Sequence, residues 1–183
     1  MAEDDARDSG PHGGGTAVAV ADRAPSSDGW SSEVARQIAT DALDGRLDDA
    51  GRSATGHRVR VAQIVSGLPW LRGGEVAAAM QAALLHDVHV DTACTLDDLA
   101  SAGCPAEVLA VLRLLTRDPT EPAEVHLGRV AGSRIATAVA LADLADLVEP
   151  SRLAALVPEA RSALLTDAMP AWLRLSRPFV LGV

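Results

Sequence analysis

From Trp30 onward the apolar residues recur three and four positions apart, and nearly all of them are alanine, leucine or valine. That interval is the repeat of one face of an α-helix. Ala and Leu lead the helix propensity scale, whereas strands favour Tyr, Phe, Ile and Thr. Aromatic residues make up only 2% of the chain, so a core must be built from small and branched aliphatic side chains. With 48% apolar residues in 183 positions there is material for one core of ordinary size. The reading is an all-α helical bundle over residues 30–183, preceded by an acidic, Gly-rich tail at 1–29 in which Pro11, Pro25 and the run Gly13–Gly15 give no reason to order.

Local signals place the helices. Helices are expected near Ser32–Leu43, His57–Ser66 and Gly74–Asp87, with a loop holding Gly45, Gly51 and Gly56 between the first two. Thr95 and Asp98 have the spacing of a capping box, and Gly103 stops the short helix they start. Pro105 suits the first turn of a helix running to Thr116. Further helices are expected at Ala123–Val130, at Ser133–Val148 with Pro150 ending it, and at Pro158–Leu175, where Pro170 should kink or split the last.

Charge narrows the partners. The chain contains no lysine, and its formal net charge is −9, with −4 in the first 29 residues. Such a chain repels phosphate backbones, so a nucleic-acid duplex is not expected as a partner. No apolar run approaches the ~20 residues that span a bilayer, and the acidic start lacks the basic region of a signal peptide. A cytoplasmic location without membrane contact is expected, and self-association into a homo-oligomer stays open. Cys94 and Cys104 have neither disulfide-scaffold nor zinc spacing and are read as reduced thiols. Trp30, Trp70 and Trp172 read as core or interface anchors, and His126 as exposed surface.

Four polar residues stand out along these helices. Asp143 shares a helix face with Ile135, Val139 and Leu147. His86 continues the stripe of Ala79, Ala82 and Ala83, and Asp87 follows it directly. His57 opens its helix. A buried carboxylate is costly unless something pairs with it, and one divalent ion would resolve all four residues together. A hydrogen-bonded core His86 and an Asp143 paired with an arginine would satisfy the same spacing.

Five blocks extend this: GHRVRVA at Gly56–Ala62, AALLHDV at Ala82–Val88, DTACTLDDLASAG at Asp91–Gly103, VLRLLTRDP at Val111–Pro119 and ALADLADL at Ala140–Leu147. In that order they resemble the HD-domain phosphohydrolases, specifically the branch similar to the RelA/SpoT-type guanosine tetraphosphate (ppGpp) hydrolases, over about residues 32–165. The resemblance implies an HD-domain bundle with His57, His86, Asp87 and Asp143 as metal ligands, usually to manganese. It implies a hydrolase in which the ion polarises a phosphoryl oxygen and acidifies water, acting on a nucleotide or other small phosphorylated molecule. Where that branch has Glu-Asp, this chain has Val90-Asp91; Asp91 is the candidate acid-base residue, and His89 could stand in for the glutamate only if turned inward. Its Lys and Asn fall on Ala140 and Leu147, and its two Tyr on Ala54 and Ala123. All these departures lie on the substrate side. They fit a changed substrate or a catalytically weakened module that binds a metal or ligand. Arg46 and Arg52, in the loop before His57, are candidate phosphate contacts.

Overall fold

The computed structural model describes residues 29–180, so all of the expected tail except Gly29 lies outside the described residues. The fold is all-α, as the periodicity required. Its helices are α1 (Ser32–Ala42), α2 (Ala54–Ser66), α3 (Gly74–Leu85), α4 (Val88–Asp91), α5 (Leu96–Ser101), α6 (Ala106–Leu115), α7 (Ala123–Ala131), α8 (Arg134–Leu147), α9 (Pro150–Ala155) and α10 (Pro158–Val180). Extended pairing among the described residues is confined to an isolated bridge between Leu47 and Ser53, at the neck of the loop before α2.

Helix α3 is apolar almost all round, which is the pattern of a helix buried on every side. Ala79, Ala82, Ala83 and Leu85 are fully buried. Its small side chains let α1, α2, α6 and α8 pack directly against it, and α2 also packs on α8. Helices α7 and α10 close over the outer side of α8. The buried amide of Gln81 on α3 accepts a hydrogen bond from Trp30 Nε1 at 3.0 Å, so Trp30 anchors the start of the domain. Trp70 also packs against the core, whereas Trp172 is exposed.

The starts of the helices follow side-chain capping. Ser31, Ser53 and Ser133 each accept from a backbone N–H three residues on, and Thr95 with Asp98 forms the full capping box. Four expectations need correction. Helix α2 begins at Ala54, so Gly56 lies inside it and His57 sits in its first turn rather than opening it. Helix α3 ends at Leu85, before the His-Asp pair: His86 is extended (φ −58, ψ 135) and Asp87 is left-handed (φ 61). Pro150 does not simply terminate a helix; it occupies the first turn of α9, which Glu149 caps by accepting from the N–H groups of Ser151 and Arg152. Finally, α10 runs through Pro170 without being split. Pro170 lies on the exposed side, where water can serve the carbonyl that loses its partner.

Candidate metal centre

Three helices deliver the centre. His57 projects from the first turn of α2, Asp143 from the third turn of α8, and His86 from the bend after α3. Because α2, α3 and α8 pack on one another, the three side chains meet although 86 residues separate His57 from Asp143 in the chain. Their ligand atoms all lie within 4.8 Å of one another. His57 Nε2 is 3.1 Å from Asp143 Oδ1, and His86 Nε2 is 3.7 Å from the same oxygen. Both imidazoles are buried.

The protons can be assigned from the partners. His57 Nδ1 lies 2.7 Å from Asp146 Oδ2, and His86 Nδ1 lies 2.5 Å from the Ala83 carbonyl oxygen. Carboxylates and carbonyls only accept, so both Nδ1 atoms carry the hydrogen and donate it. In the neutral rings each Nε2 is then a bare lone pair. These two nitrogens face each other at 3.2 Å, with the Asp143 carboxylate beside them. Such an arrangement is repulsive unless a positive species stands between the donors. Two imidazole nitrogens and a carboxylate oxygen suit a first-row divalent ion, and a His whose far nitrogen donates to a carboxylate is the usual oriented form of such a ligand.

The carboxylates that suit a cation here also favour a proton on His57. Burial disfavours a charged His57, but its hydrogen bonds and close approach to Asp143 and Asp146 outweigh that and hold its pKa above the ordinary value. Burial likewise works against an ionised Asp143, yet the His57 hydrogen bond and the fields of His86 and Arg58 keep its carboxyl below the usual range. Burial also works against an ionised Asp146, but the hydrogen bonds from Arg60 and His57 hold it below the usual range, so both acids are carboxylates at neutral pH.

Asp87 is not in the tight cluster, but it shares with Asp143 the lining of two cavities that flank it. The first, about 330 Å³, is polar. The second, about 170 Å³, is walled by aliphatic residues of α6, α7, α8 and α10. His126 borders the apolar cavity and is largely buried, not exposed as its place in the sequence implied. The two cavities thus share Asp87 and Asp143 in their walls.

The other sequence candidates divide. Asp91 borders the polar cavity, where buried Arg58 forms an ion pair with it and Arg46 donates to its backbone carbonyl. Arg46 also borders that cavity. Arg52 does not: it donates to Ser151 Oγ at 2.6 Å and pairs with Glu149 at 3.5 Å. Val90 is exposed. His89 points away, with Nε2 2.7 Å from Thr116 Oγ1, so it does not take up the missing glutamate's place. Cys94 and Cys104 are buried free thiols, pushed up by burial to about 11 and about 12, and so are inert at neutral pH.

The residue that the sequence reading missed is Asp146. It is 5% exposed, accepts from His57, and receives Arg60 through two bonds, Nε to Oδ1 at 2.6 Å and Nη2 to Oδ2 at 3.0 Å. Arg152 lies 3.9 Å from it and bonds Asp48 at 2.6 Å. The signal was present: Asp146 stands three residues after Asp143, hence on nearly the same face of α8.

These features together define an all-α helical domain with a clustered His-His-Asp site. Among solved structures, the fold is shared with a metazoan ortholog of SpoT that hydrolyzes ppGpp and plays a role in starvation responses. The TM-score is 0.60 at 21% sequence identity, over 87% of this chain and 97% of that one. No family model matches this chain, and no curated protein matches it in sequence. No helix of the described residues is long and apolar enough to cross a membrane.

Proposed function

We propose that the domain is a cytoplasmic, metal-dependent phosphohydrolase in which His57, His86, Asp87 and Asp143 hold one divalent ion, manganese by resemblance. The observation that carries the reading is the pair of bare Nε2 atoms facing each other at 3.2 Å beside the Asp143 carboxylate. An ion held there supplies Lewis acidity toward a phosphoryl oxygen and acidifies water. The protein's own residues do the rest. Asp146 and the Ala83 carbonyl fix the two imidazoles with Nε2 bare. Asp91, held by Arg58, offers a carboxylate at the rim of the polar cavity to orient water or take its proton. Arg46 stands in the same rim to meet a phosphate oxygen. The reaction class is hydrolysis of a nucleotide phosphate ester or anhydride, and the activity of the structural neighbour puts ppGpp first among substrates to try.

A second reading, a catalytically weakened ligand-binding module, draws on one feature: the only acid kept after the His-Asp pair is already tied up by Arg58, and Val90 faces solvent. Metal analysis of the purified protein, then a phosphate-release screen after Mn²⁺ loading, separates the two. One ion per chain with release abolished by Asp143→Asn supports the enzyme. One ion per chain with no release from any phosphate ester or anhydride supports the module. No bound ion refutes both.

A further inference from the structure

The apolar cavity of about 170 Å³ has His86, Asp87 and Asp143 of the centre in its wall. The rest of that wall is aliphatic, with Leu115, Val130, Val139, Leu144 and Leu175 among its residues, apart from His126. Two neighbours fix the His126 ring. Glu121 accepts from Arg129 Nε at 2.9 Å and from Nη2 at 2.6 Å. The hydrogen left on Nη2 is shared between the Thr116 carbonyl at 3.4 Å and His126 Nδ1 at 3.3 Å. A guanidinium only donates, so Nδ1 accepts and the ring hydrogen sits on Nε2. The Glu121 carboxylate, 3.7 Å from Nδ1, is too far to reverse that assignment. Burial and the charge of Arg129 hold the pKa of His126 below its ordinary value, so the ring is neutral at neutral pH. Among the described residues Nε2–H meets no acceptor.

We propose that this cavity receives the non-phosphate part of the substrate as a single ring bearing one hydrogen-bond acceptor, and that His126 Nε2–H is the group that selects the acceptor. The proposal rests on the phosphohydrolase reading, and it narrows the substrate to phosphate esters of single-ring alcohols. An aliphatic cavity of about 150 Å³ holds one benzene molecule, so about 170 Å³ suits one ring. Pockets of this kind fix orientation through a few polar groups in an apolar wall, and one donor suits one acceptor. A guanine base carries the acceptors N7 and O6 and the N2 donor on its edges. Each polar group left unpaired against such a wall weakens binding by about tenfold.

The test reads binding to the full chain. Acetophenone (a ring with one acceptor), ethylbenzene (the same shape without it) and guanosine are titrated into metal-free protein, followed by calorimetry and by NMR of the histidine nitrogens. The variants are His126→Phe, which removes the donor, and Ala140→Leu and Ala171→Leu, which fill the cavity from α8 and from α10. Acetophenone should shift the His126 Nε2 signal while Nδ1 stays unprotonated. His126→Phe should weaken acetophenone about fivefold more than ethylbenzene, the usual contribution of a neutral hydrogen bond. Each filling variant should weaken both rings by about tenfold or more. Guanosine should bind at least about tenfold more weakly than acetophenone. In Mn²⁺-loaded protein, benzylphosphonate should bind about tenfold tighter than methylphosphonate, and Ala140→Leu should erase that gain. Equal losses for the two rings in His126→Phe overturn the proposal. So does ring binding unchanged by whichever filling variant folds, guanosine binding as tight as acetophenone, or no gain from the benzyl group. Absence of phosphate release with one ion bound overturns the hydrolase reading instead, and the two failures are told apart because the ring titrations contain neither metal nor phosphate.

Discussion

Asp146→Asn is the substitution that most directly probes how the centre is held. The amide has nearly the shape of the carboxylate but no charge, and only one of its two terminal atoms accepts. In the native protein Oδ2 serves His57 at 2.7 Å while Oδ1 takes Arg60 Nε at 2.6 Å. An asparagine that keeps its oxygen toward His57 turns its NH₂ toward the Arg60 donor, so one contact is lost whichever way it faces. Hydrogen bonds to a charged group contribute about 1.5–3 kcal/mol. The loss falls near the lower end, about 1.5 kcal/mol, because Arg60 is 36% exposed and can rehydrate, while Arg152 keeps Asp48. For a domain of this size that lowers Tm by about 3–6 °C. Metal affinity should fall by about 10–100-fold, since a ligating imidazole loses the carboxylate that orients it and raises its basicity. The assays are thermal melts of the metal-free protein and calorimetric Mn²⁺ titration. NMR of the imidazole nitrogens adds the tautomer, which a purely structural role for Asp146 would not move. A folded Asp146→Asn protein with Mn²⁺ affinity within about threefold of wild type, under 1 kcal/mol, and with His57 still protonated on Nδ1, would refute the reasoning.

Two further outcomes concern the scaffold. Leu112 on α6 is fully buried where α6 meets α3 and α8, so Leu112→Ala should lower unfolding free energy by about 2–5 kcal/mol in denaturant titration. The Glu149 carboxyl is held down to about 2 by the Ser151 hydroxyl and by the backbone N–H groups it caps. Its folded value lies below its ordinary 4.5, so its stabilising effect is present above that value and is lost as pH falls toward about 2. Melts of wild type and Glu149→Gln should therefore differ at pH 6 and converge near pH 2, and a constant difference across that window would exclude the cap as its source.

What could be read from the chain alone was what is encoded locally. The Ser133 cap, the Thr95–Asp98 box and the greasy faces carrying His86 and Asp143 depend on residues a turn or two apart, and these were legible. The end of α3 was not. The Ala-Leu run flows into His86-Asp87 with no glycine or proline to stop it, and the break lies in the backbone of Asp87 itself. Pro150 was ambiguous in principle, since a proline both follows a helix and opens one; Glu149 ahead of it settles the matter through its cap. Asp146 escaped because its partners are distant: Arg60 lies 86 positions earlier, and only the packing of α2 on α8 joins them. Arg46 and Arg52 looked equivalent in one loop, yet the Leu47–Ser53 bridge folds that loop so that one turns to the cavity and the other to α9.

Asp87 is the one non-glycine residue at positive φ among the described residues. Had α3 continued, consecutive side chains would diverge by about 100° around its axis, and His86 and Asp87 could not border one opening. The left-handed step lets two neighbours in the chain address a common point. Aspartate and asparagine enter that conformation more readily than other side chains, so the position has two demands on it, one from the backbone and one from the carboxylate. Replacement by asparagine would spare the bend and remove only the charge, and glycine would spare the bend while removing the whole side chain, whereas valine or isoleucine would oppose the bend and swing His86 away from His57. The two kinds of lesion, chemical and geometric, can therefore be separated at a single codon.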